Sequence, residues 1–121
     1  MKKKILIVED DIKNLKLFKD VLEKVGYKII TAVDGEQGVQ LALKEKPGLI
    51  LMDIQMPVKD GLEATREIKD NPLTNKIPVV ALTALAMRGD EDRIRVAGCD
   101  DYISKPVQIR ALLDKVASYF Q

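Results

Sequence analysis

"LILMDIQMP" (residues 49–57) decides the fold. Leu49, Ile50, Leu51 and Met52 form an unbroken apolar run suited to a buried strand. Asp53 then puts a charge at the end of that run, and Gln55, Met56 and Pro57 forbid a helix from starting at once. Alone, Asp53 reads as a polar stop. Its company at the other strand ends makes it a reactive group.

Outward from this stretch, two periodicities alternate. "KILIVE" (4–9), "KIITAV" (28–33), "GLILMD" (48–53), "IPVVALT" (77–83) and "DYIS" (101–104) read as strands, apolar throughout rather than every second residue. "NLKLFKDVLEKVG" (14–26) follows the first as a helix, with Leu15, Phe18, Val21, Leu22 and Val25 on one face and Gly26 ending it. "GEQGVQLALKEK" (35–46), weakened by Gly38, "LEATREIKD" (62–70) and "DEDRIRVAG" (90–98) are helical as well. "VQIRALLDKVASYF" (107–120) is amphipathic, with Ile109, Leu112, Leu113, Val116 and Phe120 inward. Strands buried on both faces, in strict alternation with helices, predict an α/β fold: an open parallel sheet with helices on both faces.

Length and composition narrow the class. The chain has 121 residues, so one domain over 1–121 is expected, with no effector domain left over. It is 46% hydrophobic and 32% charged, which suits a globular domain with a real core. Lys and Arg number 20 against 19 Asp and Glu, so neither nucleic-acid binding nor an acidic disordered tail is indicated. "MKKKILIVEDD" starts like a signal peptide, but its apolar run stops at Val8 and meets three acids, and nothing later could span a membrane. The one cysteine, Cys99, excludes an internal disulfide, suits a reducing cytoplasm and reads as a packed residue rather than a redox thiol. The chain has no histidine, which excludes a His-based triad, a His-ligated zinc site and a phosphohistidine.

In an open parallel sheet, function gathers outside the carboxyl ends of the strands. The first strand ends in Glu9 and Asp10, with Asp11 beyond; the second in Val33 and Asp34; the third in Asp53; the fourth in Thr83; and the fifth one residue before Lys105. If the first and third strands are neighbours, Glu9, Asp10 and Asp53 converge and repel one another. A divalent cation relieves that repulsion, and an all-oxygen set selects a hard ion, Mg²⁺ or Mn²⁺. With Lys105 and Thr83 added, the group makes a cradle for a phosphoryl group, with Asp53 as nucleophile. The chain contains neither G-x-x-x-x-G-K-[ST] nor G-x-G-x-x-G after a strand, so the phosphoryl group must come from a partner or a small phosphodonor.

At these residues the chain resembles a response-regulator receiver domain, of the CheY-like family of two-component signalling, over essentially its whole length. "ILIVEDD" resembles the family's first strand with its acidic pair, which falls on Glu9 and Asp10; many members have Asp where Glu9 stands. "LILMDIQMPVKDG" resembles the phosphoacceptor loop, with Asp53 as acceptor, the Gln55 backbone carbonyl as metal ligand and Gly61 closing the turn. Gln55 occupies a position where the family's side chains vary and tune phosphoryl lifetime. "VVALTA" puts the switch hydroxyl on Thr83, with small Ala84 behind it. "DYISKP" puts the switch aromatic on Tyr102 and the phosphate-binding lysine on Lys105, with a cis Lys105–Pro106 peptide expected. "LTALAMRGDEDRIRVAGCDDYISKP" is also similar to stand-alone regulators of the DivK type.

The resemblance implies a five-stranded sheet in the order 2-1-3-4-5. It implies Mg²⁺ or Mn²⁺ held by Glu9, Asp10, Asp53 and the Gln55 carbonyl, and a sensor histidine kinase or phosphotransfer protein as donor. Thr83 and Tyr102 would then shift the face of the fourth helix, fifth strand and fifth helix toward a downstream protein. A monomer or weak dimer is expected, with no nucleic acid or membrane as partner.

Blander roles stand beside these. Thr83 suits a strand by propensity, Tyr102 fits a half-buried surface, and Lys105 alone is an ordinary solvated lysine. Asp11 or Asn14 caps the first helix, which leaves Asp10 for the metal. Met52 is expected in the core, Met56 exposed beside Pro57, and "MRGDEDRIR" (87–95) on a solvated helix face. Two rival functions remain. A small Mg²⁺-dependent phosphatase would need an acid two residues after Asp53, where Gln55 stands and cannot serve. A flavodoxin-like cofactor binder would need phosphate loops and stacking aromatics, whereas the first loop is acidic and aromatics are 4% of the chain.

Overall fold

The computed structural model describes residues 3–56, 59–84 and 90–121. Ten elements alternate along it: β1 (Lys4–Val8), α1 (Ile12–Lys24), β2 (Lys28–Ala32), α2 (Gly35–Glu45), β3 (Leu49–Asp53), α3 (Gly61–Asp70), β4 (Val79–Thr83), α4 (Asp90–Ala97), β5 (Asp101–Ser104) and α5 (Ile109–Tyr119). The strands are all parallel, in the order β2-β1-β3-β4-β5.

The unbroken apolar runs follow from double burial. All five residues of β3 and all five of β4 are buried. Ile5, Ile7, Leu49 and Leu51 meet Phe18 and Leu22 of α1 and Leu112 and Val116 of α5 on one face. Leu6, Val8, Ile50 and Met52 meet Ala42 of α2, Leu62 and Ile68 of α3 and Ile94 of α4 on the other. Gly38 weakens α2 as a helix but serves its packing: a Cβ there would lie 2.9 Å from Val8 Cγ2.

Aspartates start the first three helices. Asp11 caps α1, accepting from Lys13 N at 2.9 Å and Asn14 N at 3.2 Å. Asp34 caps α2 through Gln37 N, and Asp60 caps α3 through Glu63 N, each at 2.8 Å. Asp10 is therefore not used as a cap, as expected.

Several boundaries differ from the sequence pattern. Val25 is 57% exposed, because α1 ends at Lys24 and the chain turns away through Gly26 at φ +106°. The last helix starts at Ile109, two residues later than its apolar pattern, since Gln108 keeps extended dihedrals at the N-cap. Phe120 lies just past that helix yet still packs on the core, and Ile109 is only half-buried. The fourth strand begins after Pro78, whose carbonyl accepts from Ile50 N at 3.0 Å. Met56 is half-buried on the α2–α3–α4 side rather than exposed. Met52 is in the core as expected, and Cys99 is buried, with burial pushing its thiol pKa up. Pro57 and residues 87–89 lie outside the described residues. Among the described residues, no helix is long and apolar enough to cross a membrane.

Candidate functional site

Because β1 pairs directly with β3, Val8 standing opposite Met52, the next residues of both strands emerge side by side at the same edge. Oxygen atoms of Glu9, Asp10 and Asp53 all lie within 4.8 Å of one another there. Glu9 and Asp53 are 0% and 1% exposed, whereas Asp10 is open to solvent. Lys105, carried past β5, reaches back to both buried acids: Nζ lies 3.1 Å from Asp53 Oδ1 and 3.4 Å from Glu9 Oε1. Its backbone N–H donates to the Thr83 carbonyl at 2.8 Å, which fixes the segment to the end of β4. The Lys105–Pro106 peptide is cis, as expected.

The charge balance here is poor without another cation. Burial, reinforced by the neighbouring Asp53, pushes the Glu9 pKa up to about 8 despite the opposing pull of Lys105. Burial would depress the Lys105 ammonium, but Asp53 and Glu9 outweigh it and hold its pKa above the usual lysine value. Glu9 Oε1 is sealed from solvent without a hydrogen bond, and Lys105 meets it only as an ion pair. Glu9 Oε2 accepts from Asp11 N at 3.3 Å. Three convergent carboxylates, one with an orphaned oxygen, fit a small divalent cation with oxygen ligands.

Asp53 is held by its own loop. Gln55 N donates to Asp53 Oδ1 at 3.1 Å, and Gln55 itself is exposed. Gly61 N donates to the Ile54 carbonyl at 3.0 Å, closing the turn. A Cβ at Gly61 would collide with the Asp53 carbonyl, so only glycine lets α3 start this close under the strand end.

Thr83 ends β4 fully buried and lines a cavity of about 450 Å³ with Ile54, Gln55, Met56, Asp60, Leu62, Arg93 and Ile94. Tyr102 stands on β5 opposite Ala81, half-buried, and its hydroxyl donates to Glu91 Oε1 of α4 at 2.6 Å. The structure thus brings Glu9, Asp10, Asp53 and Lys105 into one cluster, with Gln55 on its rim and Thr83 at the adjoining strand end. Tyr102 lies apart, tied to α4. Lys59 has no place in the sequence reading. In the fold it pairs with Glu36 of α2 and Glu67 of α3, and its only sequence signal is a charge inside the loop after Asp53.

The chain matches the family model of the response regulator receiver domain over residues 5–117. It is 47% identical over 119 residues to the polar-differentiation response regulator DivK of Brucella anthropi, covering 98% of this chain and 97% of that protein. Among solved structures it is similar to the receiver domain of the sensor histidine kinase PA1611 from Pseudomonas aeruginosa, with a TM-score of 0.91 and 35% identity over 98% of both chains. That domain was solved with a magnesium ion coordinated in its active site cleft. The chemotaxis protein CheY4 of Vibrio cholerae shares the fold at a TM-score of 0.93 and 24% identity, over 98% of this chain and 99% of that one. This chain belongs to the response regulator receiver domain family.

Proposed function

We propose that the chain, acting as one receiver unit over residues 1–121, accepts a phosphoryl group on Asp53 from a phosphohistidine of a sensor histidine kinase or phosphotransfer protein. The observation that carries this is the Asp53 carboxylate, buried at a strand end and gripped at Oδ1 by both Lys105 and Gln55 N–H. An Asp53 oxygen forms the bond to phosphorus as the phosphorus–nitrogen bond of the donor breaks, and the imidazole leaves with the electron pair and takes a proton. Glu9, Asp10, Asp53 and the Gln55 carbonyl would hold Mg²⁺ or Mn²⁺. When bound, the ion supplies neutralisation of the phosphoryl oxygens.

Lys105 neutralises a further oxygen from the opposite side, and the Thr83 hydroxyl turns toward the new acyl phosphate. Tyr102 then leaves Glu91 and moves inward, shifting a pre-existing equilibrium of the α4–β5–α5 face. Two surface cavities beside the Tyr102 ring, of about 330 and 250 Å³, support that face as the docking place of a downstream protein. The chain catalyses its own phosphorylation and dephosphorylation, with no turnover of an external substrate.

Intact mass after incubation with acetyl phosphate tests the reading, with Mg²⁺ or with chelator, on wild type and Asp53→Asn. The wild type gains one phosphoryl group with Mg²⁺ only, and Asp53→Asn gains none. An adduct of equal yield in Asp53→Asn overturns the assignment of the acceptor.

A further inference from the structure

Lys59 stands in the loop between β3 and α3, and two helices hold it. Its ammonium lies 2.9 Å from Glu36 Oε2 of α2 and against Glu67 Oε2 of α3, with 16% of the side chain exposed. Glu67 first, then Glu36, keeps its pKa above the usual lysine value. The main chain packs close at the same place: a Cβ on Gly35 at the start of α2 would collide with the Lys59 carbonyl. Asp60 follows directly as the cap of α3, and Gly61 N closes back on the Ile54 carbonyl at 3.0 Å. The far end of the loop is therefore tied to the scaffold by the Lys59 side chain, which reaches two helices, and the Gly61–Ile54 hydrogen bond carries that hold to the residue before Gln55. Surface ion pairs contribute little to stability, so an arrangement of this kind has more to give in position than in energy.

We propose that Lys59 is a positioning residue for the cation site: clamped between Glu36 and Glu67, it sets where the loop after Asp53 presents the Gln55 carbonyl. The inference rests on the cation reading above. It goes beyond it by giving a role to three residues outside the acidic cluster. Such outer partners act on a metal site through the geometry of its ligands.

The test titrates MgCl₂ into wild type, Lys59→Met and Lys59→Arg, following backbone amide resonances. Thermal midpoints and Gly61 amide exchange in chelator are recorded alongside. Lys59→Met weakens Mg²⁺ binding about tenfold, the lower end for outer partners of a metal site, and speeds Gly61 exchange, while its thermal midpoint stays within a few degrees. Lys59→Arg restores both readouts. The pair Glu36→Gln with Glu67→Gln matches Lys59→Met, and Gly35→Ala, which displaces the carbonyl without touching a charge, weakens Mg²⁺ in the same direction. Unchanged Mg²⁺ affinity in Lys59→Met, with wild type binding normally, overturns this inference and leaves the cation reading standing. A loss of affinity that tracks the thermal midpoint and is not rescued by Lys59→Arg overturns it too, making the clamp purely structural. A wild type that binds no Mg²⁺ removes the cation reading and this one with it.

Discussion

β3 begins at Leu49, sealed in the apolar layer beneath α1 and α5, and ends at Asp53, whose carboxylate shares a buried edge with Glu9. Around the first end the contacts are complementary. Tyr27 and Phe120 rings lie 5.4 Å apart, Lys3 Nζ donates to the Phe120 carbonyl at 2.6 Å, and Gly48 leaves room for the Phe120 ring. Around the other end, like charges are forced together, and Glu9 Oε1 is left without a hydrogen bond. One strand thus carries stability at its start and, in the proposed function, chemistry at its finish. Neutralising a charge at the second end should help folding and abolish function, whereas trimming the first end should cost stability and leave function intact.

The largest expected contrast lies within β3 itself. Asp53→Asn, besides failing to take a phosphoryl group, unfolds at a higher temperature than wild type in chelator above about pH 8, where Glu9 is ionised and a buried repulsion is removed. Leu49→Ala costs about 3 kcal/mol through lost burial and a cavity, yet its folded fraction takes the phosphoryl group as wild type does. Thermal melts and intact mass on both variants check this. An Asp53→Asn protein less stable than wild type would break the comparison.

Next comes the pH dependence carried by Glu9. Its carboxyl has a pKa of 4.5 in an ordinary setting and about 8 in the fold, chiefly from burial and then from Asp53. The folded chain holds this proton more tightly than the unfolded one. The stabilisation is therefore full below about 4.5 and is lost as pH rises through about 8. Melts in chelator across this window show that fall for wild type, and Glu9→Gln removes Glu9's part of it. Mg²⁺ affinity moves the opposite way, rising with pH because the cation must displace the proton. A pH-independent Mg²⁺ affinity between pH 6 and 8 counts against the protonated Glu9.

The two ends were not equally legible in the sequence. Continuous apolar strands and the glycines and aspartates between them led to the alternation, the covered sheet and the list of strand-end residues, because those signals are local. That Glu9, Asp10 and Asp53 meet follows once β1 and β3 are neighbours, and Lys105 joins them by the same logic. What stayed hidden depends on packing between elements far apart in the chain. Gly38 reads as a helix weakness until Val8 is seen against it. Val25 keeps the apolar period but falls past the last turn. Met56 looks exposed beside Pro57 until the α2–α3–α4 layer closes over it. Lys59 cannot be paired with Glu36 and Glu67 before α2 and α3 are known to lie side by side.

The smallest effect belongs to Glu91, on the surface, where the comparison is sharpest. Its carboxylate accepts from the Tyr102 hydroxyl at 2.6 Å, and that bond, more than burial, raises the phenol pKa above its ordinary 10.0. Ionising the phenol breaks the bond and sets two anions together. Glu91→Gln keeps an acceptor but removes the charge, so the Tyr102 titration moves back down while thermal stability hardly changes. An absorbance titration of the phenolate, with Tyr102→Phe to assign the transition among three tyrosines, reads this directly. In the proposed switch the same substitution loosens the outward ring, so a beryllofluoride titration of Glu91→Gln moves the Tyr102 ring resonances at lower ligand concentration than in wild type. A Tyr102 titration unmoved by Glu91→Gln would mean that the pair does not hold the ring in solution, and the brake on the switch would have to be sought on the buried side, at Thr83.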